Sequence, residues 1–367
     1  MNDPLLYKIA LSMIPGIGGV LARNLISYVG NVEGGFREPM SKLTKIPGIG
    51  EVNARRIKES RVIHLAEEEM EFMSANHIKS FFYLDGDYPK RLSRCTDAPI
   101  VFYYKGNARF DTEQVISIVG TRNATEYGRQ MCDDLIRELS ERGHRFMVVS
   151  GLAYGIDIQA HKASLKYHIP TIGVVGHGLD KIYPAIHGKI AKSMLDQGGL
   201  LSDFPSKTKI EPSNFIRRNR LIAGLADATI VIESGEKGGA LITADIAASY
   251  DRDVFAFPGR SGDPYSRGCN HLIKKHVAAL IEHAADLEYL MGWEVDSLKQ
   301  PVQQRLFTDL TDDELKIAGV LKREDKTFID NLCHEVQMPV NKVSSLLMTM
   351  EFKGIIDALP GKMYRLK

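Results

Sequence analysis

The stretch from Val115 to Ser164 limits most severely what this chain can become. In order it reads as strand, glycine turn, helix, strand, second glycine turn, helix. The run Val115 to Val119 is apolar without useful alternation, the pattern of a parallel strand covered on both faces. Gly120, Thr121 and Arg122 follow it. Asn123 or Thr125 is placed to N-cap the next helix, whose apolar positions Tyr127, Met131, Leu135 and Leu139 recur four apart, and Gly143 stops it. A glycine that admits close backbone approach, a hydroxyl, an arginine and a fresh helix N-terminus make an anion site, with phosphate the expected anion. The turn Ser150-Gly151-Leu152-Ala153-Tyr154-Gly155-Ile156-Asp157 repeats the device after the neighbouring strand. Ligands of open parallel sheets bind outside the carboxyl ends of strands, so both turns are expected to face one crevice. The spacing matches neither GxGxxG nor GxxxxGK[ST], which excludes the standard dinucleotide and P-loop assignments.

Further strands are expected at Ser80 to Tyr83, Ile100 to Tyr104, Thr171 to Val175, Thr229 to Glu233 and Asp253 to Phe257, alternating with helical patterns such as Leu241 to Tyr250. This is a doubly wound, Rossmann-like α/β domain over residues 66–290. Two stretches in it concentrate charge. Pro212 to Arg220 holds Phe215, Arg217, Arg218, Asn219 and Arg220; on a helix Arg217 and Arg220 share a face, while Arg218 lies about 100° away, so the three cannot all enter one crevice. Glu233 to Ala240 supplies a third glycine turn, with Gly238 and Gly239 before a helix. Asp157 and Glu233 are the carboxylates that could compete with phosphate for Arg122. His161, four residues after Asp157, reads as a side chain that fixes the turn by a hydrogen bond. Asp85 and Asp87, beside Gly86 and Pro89, read as turn formers.

Flanking modules differ in kind. Ile14-Pro15-Gly16-Ile17-Gly18 and Ile46-Pro47-Gly48-Ile49-Gly50 are near copies, each leading into a helical pattern, Val20 to Val29 and Val52 to Ile63. They predict a small helical domain over residues 1–65 that resembles helix-hairpin-helix modules. A polar linker is expected at 291–308. Residues 309–367 read as a winged helix: helices Asp312 to Leu321, Phe328 to Val336 and Asn341 to Lys353, then a β-hairpin. Lys342 and Lys353 are the only bases of its third helix, a thin basis for touching DNA, which leaves protein binding as the alternative.

Composition removes several classes. A net charge of +1 excludes a globally basic coat but not a local basic groove. Cys95, Cys132, Cys269 and Cys333 contain no CxxC pair, and His144, His161, His177, His187 and His271 of the central domain have no ligand spacing, so neither a disulfide framework nor a metal site is expected. No apolar run is long enough for a membrane helix and Met1-Asn2-Asp3-Pro4 lacks a basic leader, so a cytoplasmic location is expected.

The order of parts is specific. Tandem hairpins, then SIVGTR, SGLAYGIDIQAH, GHGLDKIYP, FIRRNRLIAGLADATIVIES, GGALITA and DVFAFPG, then a winged helix, resemble the DNA-processing protein A family, also called Smf. The resemblance implies binding of single-stranded DNA, loading of the recombinase RecA onto it, and shielding of incoming DNA in natural transformation, with no catalytic step and no cofactor. It implies a DNA pocket lined by Gly120, Thr121, Arg122, Phe215, Arg217, Arg218, Asn219 and Arg220. Ser150, Gly151, Gly155, Gly238 and Gly239 of the other turns, and Lys181 of GHGLDKIYP, complete the candidate set. It also suggests a homodimer through His271, Leu272 and Ile273, residues that equally suit the core. The alternative is a nucleotide phosphoribohydrolase of the kind that resembles lysine decarboxylases. Its PGGxGT turn would fall at Gly238 to Thr243, where the proline is missing and Ala240 and Leu241 intervene.

Overall fold

The computed structural model describes residues 4–59, 61–293, 310–323, 327–359 and 363–366. Two units divide the chain, Met1–Ser297 and Leu298–Lys367.

Among the described residues, nine strands build the sheet of the first unit: β1 Lys79–Phe82, β2 Val101–Gly106, β3 Gln114–Val119, β4 Phe146–Ser150, β5 Thr171–Val174, β6 Gly199–Ser202, β7 Ala228–Val231, β8 Asp253–Ala256 and β9 Ala279–Leu280. Their order is β1-β2-β6-β5-β4-β3-β7-β8-β9. β6 to β9 run parallel, whereas β1 and β2 pair antiparallel at one edge. From β3 the chain moves outward through β4, β5 and β6, then crosses back to place β7 on the other side of β3. Connections therefore diverge between the carboxyl ends of β3 and β7, which opens a crevice there.

Burial explains why β3 does not alternate. Ile116 and Ile118 pack with Cys132, Leu135 and Ile136 of helix Glu126–Glu141. Val115 and Val119 pack instead with Leu221 and Ile222 of helix Pro212–Leu225 and with Ala244 and Ala247 of helix Gly239–Ser249. Both faces are covered, as a continuous apolar run demands.

The two hairpin turns at the start have Gly16 at φ 81° and Gly48 at φ 82°, a conformation that glycine reaches without steric cost. They lead into helices Gly19–Val29 and Glu51–Glu59. The second of these was expected to run to Ile63; a new helix, Val62–Ala75, begins there instead. Residue 65 lies inside that helix, and Ile9, Leu25 and Ile57 share one apolar core with Phe82 of β1 and with Val101 and Tyr103 of β2. Two polar ties reinforce this core: Arg23 donates to Thr96 O and Ala98 O, and the Glu69 carboxylate accepts from the Ser206 amide and hydroxyl. Asp85 pairs with Lys8 at 2.7 Å.

Helix Ala284–Met291 ends at Gly292, and Trp293 packs on His144 with ring centroids 5.6 Å apart. The remainder of the expected linker, residues 294–308, lies outside the described residues. In the second unit helices Asp312–Arg323, Ile329–Val336 and Val340–Phe352 surround Ile317, Leu321, Leu332, Val343 and Leu347. Strands β11 Ile356–Leu359 and β12 Met363–Leu366 form the wing, and a two-residue strand, β10 Thr327–Phe328, adds to β12.

Candidate nucleic-acid interface

The crevice at the carboxyl ends of β3 and β7 has a volume of about 710 Å³. Its first wall is the turn after β3. A Cβ on Gly120 would lie 2.4 Å from Ile156 and 3.0 Å from Glu233 O, so only glycine fits. Thr121 N donates to Glu233 O at 2.7 Å, and Ile156 N donates to Thr121 O at 3.1 Å, which locks the first two glycine turns together. Gly155 has φ 78°, and a Cβ there would strike Thr121 O and the Arg122 carbonyl.

Of the two candidate N-caps, Thr125 is the one used: its Oγ1 accepts from Gly128 N at 3.2 Å. Its hydroxyl and amide donate to the Glu233 carboxylate at 2.6 and 2.9 Å. Glu233 is thereby committed to the helix N-terminus rather than to Arg122. Arg122 is exposed on the crevice wall and makes no ion pair among the described residues.

The arginine helix, Pro212–Leu225, forms the second wall, and it resolves the ambiguity among its three arginines. Arg218 is the one that enters: it is 5% exposed and lines the crevice. Its Nη1 donates to Val174 O, while Nε is buried with no acceptor. Arg217 and Arg220, on the other face, are not brought there. Arg217 lies 5.1 Å over the Phe204 ring, and Arg220 donates to Asp203 and to Asp97 O. Asn219 lines the crevice and donates Nδ2 to Gly239 O at 3.2 Å, which ties this helix to the third glycine turn.

Burial dominates the electrostatics of the floor. It pushes the Asp157 carboxyl up, against the pull of Arg218, and pushes the Arg218 guanidinium down. Both groups press on Gly151, where a Cβ would lie 2.3 Å from Asp157 Oδ2 and 2.7 Å from Arg218 Nη1. His161 does fix this turn by a side-chain bond. Its Nε2 meets Gly151 O at 2.5 Å and its Nδ1 meets Thr171 Oγ1 at 2.7 Å, and burial pushes its pKa down to about 4, so the ring is neutral near pH 7. Ser150 is buried and donates to Ile118 O at 2.6 Å; it supports the turn from beneath.

Gly238 and Gly239 line the third side at the start of helix Gly239–Ser249. Phe215 and Tyr183 both line the crevice and pack against each other, with ring centroids 5.8 Å apart. Sequence reasoning missed Tyr183, Lys237 and Tyr265, which also line the wall. Tyr183 stands in the quoted GHGLDKIYP and Lys237 in the third turn, so glycine-turn context was the available signal for both. Lys181 is not on the wall; it pairs with Asp180 at 3.6 Å. Leu272 is 4% exposed and belongs to the core, with Ile273 packed against that core and His271 exposed. The apolar side of helix Arg267–Lys274 is thus occupied within the protomer. Among the described residues no three His, Cys, Asp or Glu side chains gather as a metal site.

Free cations, glycine turns and a half-exposed aromatic pair suit a ligand with both phosphate and ring. The sequence model of DNA recombination-mediator protein A matches residues 79–291. The chain belongs to this family. A SAM-like helix-hairpin-helix tandem matches residues 8–61, and the winged-helix domain of the same family matches 303–362. Protein Smf of Synechocystis is 30% identical over 99% of both chains. DNA processing protein DprA of Bacillus subtilis is 41% identical over 53% of this chain and 65% of its own. The crystal structure of DNA processing protein A from Streptococcus pneumoniae superposes with a TM-score of 0.67 at 30% identity, covering 79% of this chain and 98% of that one. The Helicobacter pylori member, a single-stranded DNA binder, superposes at 0.53 with 29% identity, covering 59% and 97%.

Proposed function

We propose that the crevice binds single-stranded DNA by its backbone, without sequence preference, and that the protein delivers the strand to a RecA-type recombinase and shields incoming DNA during natural transformation. The observation that carries the reading is the state of two arginines. Arg122 holds no ion pair among the described residues, and Arg218 is buried with its Nε lacking an acceptor, beside aromatics on which bases can stack. The Helicobacter pylori relative, which binds single-stranded DNA, supports the choice of ligand.

Catalysis forms no part of the proposal. Of the carboxylates beside the glycine turns, Glu233 is held by Thr125 and Asp157 is buried under Gly151, while Glu236 is exposed and does not line the crevice. Titrating a labelled thymidine oligonucleotide and its duplex tests the binding step. Strong preference for the single strand supports it; equal affinity for duplex contradicts it. The delivery step is tested by recombinase filament growth on a strand coated with single-strand-binding protein. Growth should accelerate when the protein is added, and an unchanged rate contradicts delivery. Light scattering tests the homodimer: twice the chain mass supports it, and a monomer at working concentration rejects it.

A further inference from the structure

A second cleft, of about 690 Å³, lies at the opposite, amino-terminal end of the strands. Its lining comes from residues that precede strands: Lys79 opens β1, Glu113 precedes β3, Asp227 precedes β7 and Arg252 precedes β8. The length of β3, about 20 Å at 3.3 Å per residue, separates it from the crevice. The two linings share no residue.

Part of its charge is already paired. Arg91 binds Asp227 through two bonds of 2.6 and 2.8 Å and also donates to Thr112 O and Glu113 O, while Arg109 pairs with Asp111 at 2.7 Å. After that pairing Lys79, Lys90, Arg94 and Arg252 remain against Asp87 and Glu113. Lys79, Lys90 and Arg94 are exposed and in no ion pair among the described residues. Arg252 donates Nη2 to Arg91 O at 3.0 Å, but its Nε is buried without an acceptor. Phe110 lines the cleft half-buried, held by edge contacts to Phe81, Phe102 and Tyr104. Its volume is that of a small-molecule site.

We propose that this cleft binds a nucleoside phosphate. Lys90 and Arg94 take the phosphates by charge-assisted bonds, Phe110 offers a ring to the base, and Asp87 and Glu113 accept from sugar hydroxyls or base amines. The same chemistry could arrive as a free nucleotide or as one residue of a strand. Calorimetry on the full chain distinguishes them, with ADP, inorganic phosphate and a five-residue thymidine oligonucleotide as probes. Lys90→Glu and Arg94→Glu change exposed side chains, so the fold is kept. For a free nucleotide, ADP binds more tightly than phosphate, each reversal weakens it on the order of tenfold or more, and Arg122→Ala leaves it unchanged. For a strand, ADP is silent, while the oligonucleotide contact that persists in Arg122→Ala is lost on adding either reversal. The proposal is overturned if neither probe responds to the reversals, if ADP binds but no more tightly than phosphate, or if the ADP signal follows Arg122→Ala. The ADP arm does not depend on strand binding in the crevice.

Discussion

The crevice and the third helix of the winged helix both carry cations at a helix, and they treat them in opposite ways. In the winged helix Lys342 lies 2.6 Å from Asp313 and Lys353 lies 2.8 Å from Glu314, which is itself almost fully buried. In the crevice Arg122 has no ion pair among the described residues, and Arg218 donates to the Val174 carbonyl with the buried Asp157 carboxylate beside it. A cation counts toward an anionic ligand only after the protein's own carboxylates have taken their share. By that measure the winged helix is neutralised at this helix, whereas the crevice lining sets Arg122, Arg218 and Lys237 against one carboxylate, the buried Asp157.

Arg218→Ala should break the contrast most. Truncating a buried, hydrogen-bonded charge costs about 2–5 kcal/mol of binding. Affinity should fall by that amount with the single-strand preference gone, as measured by fluorescence anisotropy; retained affinity would place the DNA elsewhere. Next comes a test of the scaffold beneath. Because burial holds the His161 pKa at about 4, below its ordinary 6.5, the folded state binds fewer protons there than the unfolded state. Its contribution to stability is complete above pH 6.5 and is lost as pH falls toward 4, about 3 kcal/mol in all. Thermal melts across this window should therefore drop less in His161→Gln than in the parent; parallel pH profiles would contradict the assignment. In the winged helix the sign is the same but the window is lower, since Lys353 holds the Glu314 carboxyl below its usual range and stability is lost only as pH falls below about 4.5.

Arg122→Ala should weaken binding by about 1.5–3 kcal/mol with an unchanged melting temperature, and Arg122→Lys should recover part, keeping charge but losing the planar fork. Smallest of all, Lys342→Ala should change DNA affinity by less than about 0.5 kcal/mol, because its charge is already spent on Asp313 at the surface. A loss comparable to Arg122→Ala would show that pairing does not decide the matter.

Much of this could be read from the chain. The apolar run of β3, the glycine turns and the tandem hairpins are local signals, and each stands where its residues predicted. What sequence could not choose was which arginine enters the crevice. Helical geometry separates Arg218 from Arg217 and Arg220 but does not say which face meets β5; Val174 O, forty-four positions away, settles it. The commitment of Glu233 to Thr125 is equally remote, a bond between the end of β7 and the helix after β3. Leu272 was ambiguous for a different reason, since an apolar side chain reads the same in a core and at an interface; its burial among core residues shows only where it packs within one protomer.

The central claim is that the excess of cations in the crevice holds a DNA backbone, and salt dependence measures it most directly. Arg122, Arg218 and Lys237 line the crevice. With about 0.7 per phosphate contact on a single strand, the slope of log affinity against log salt should be about −2 for the parent protein and about 0.7 shallower in Arg122→Ala. An affinity independent of salt, or a slope that Arg122→Ala leaves unchanged, would contradict it.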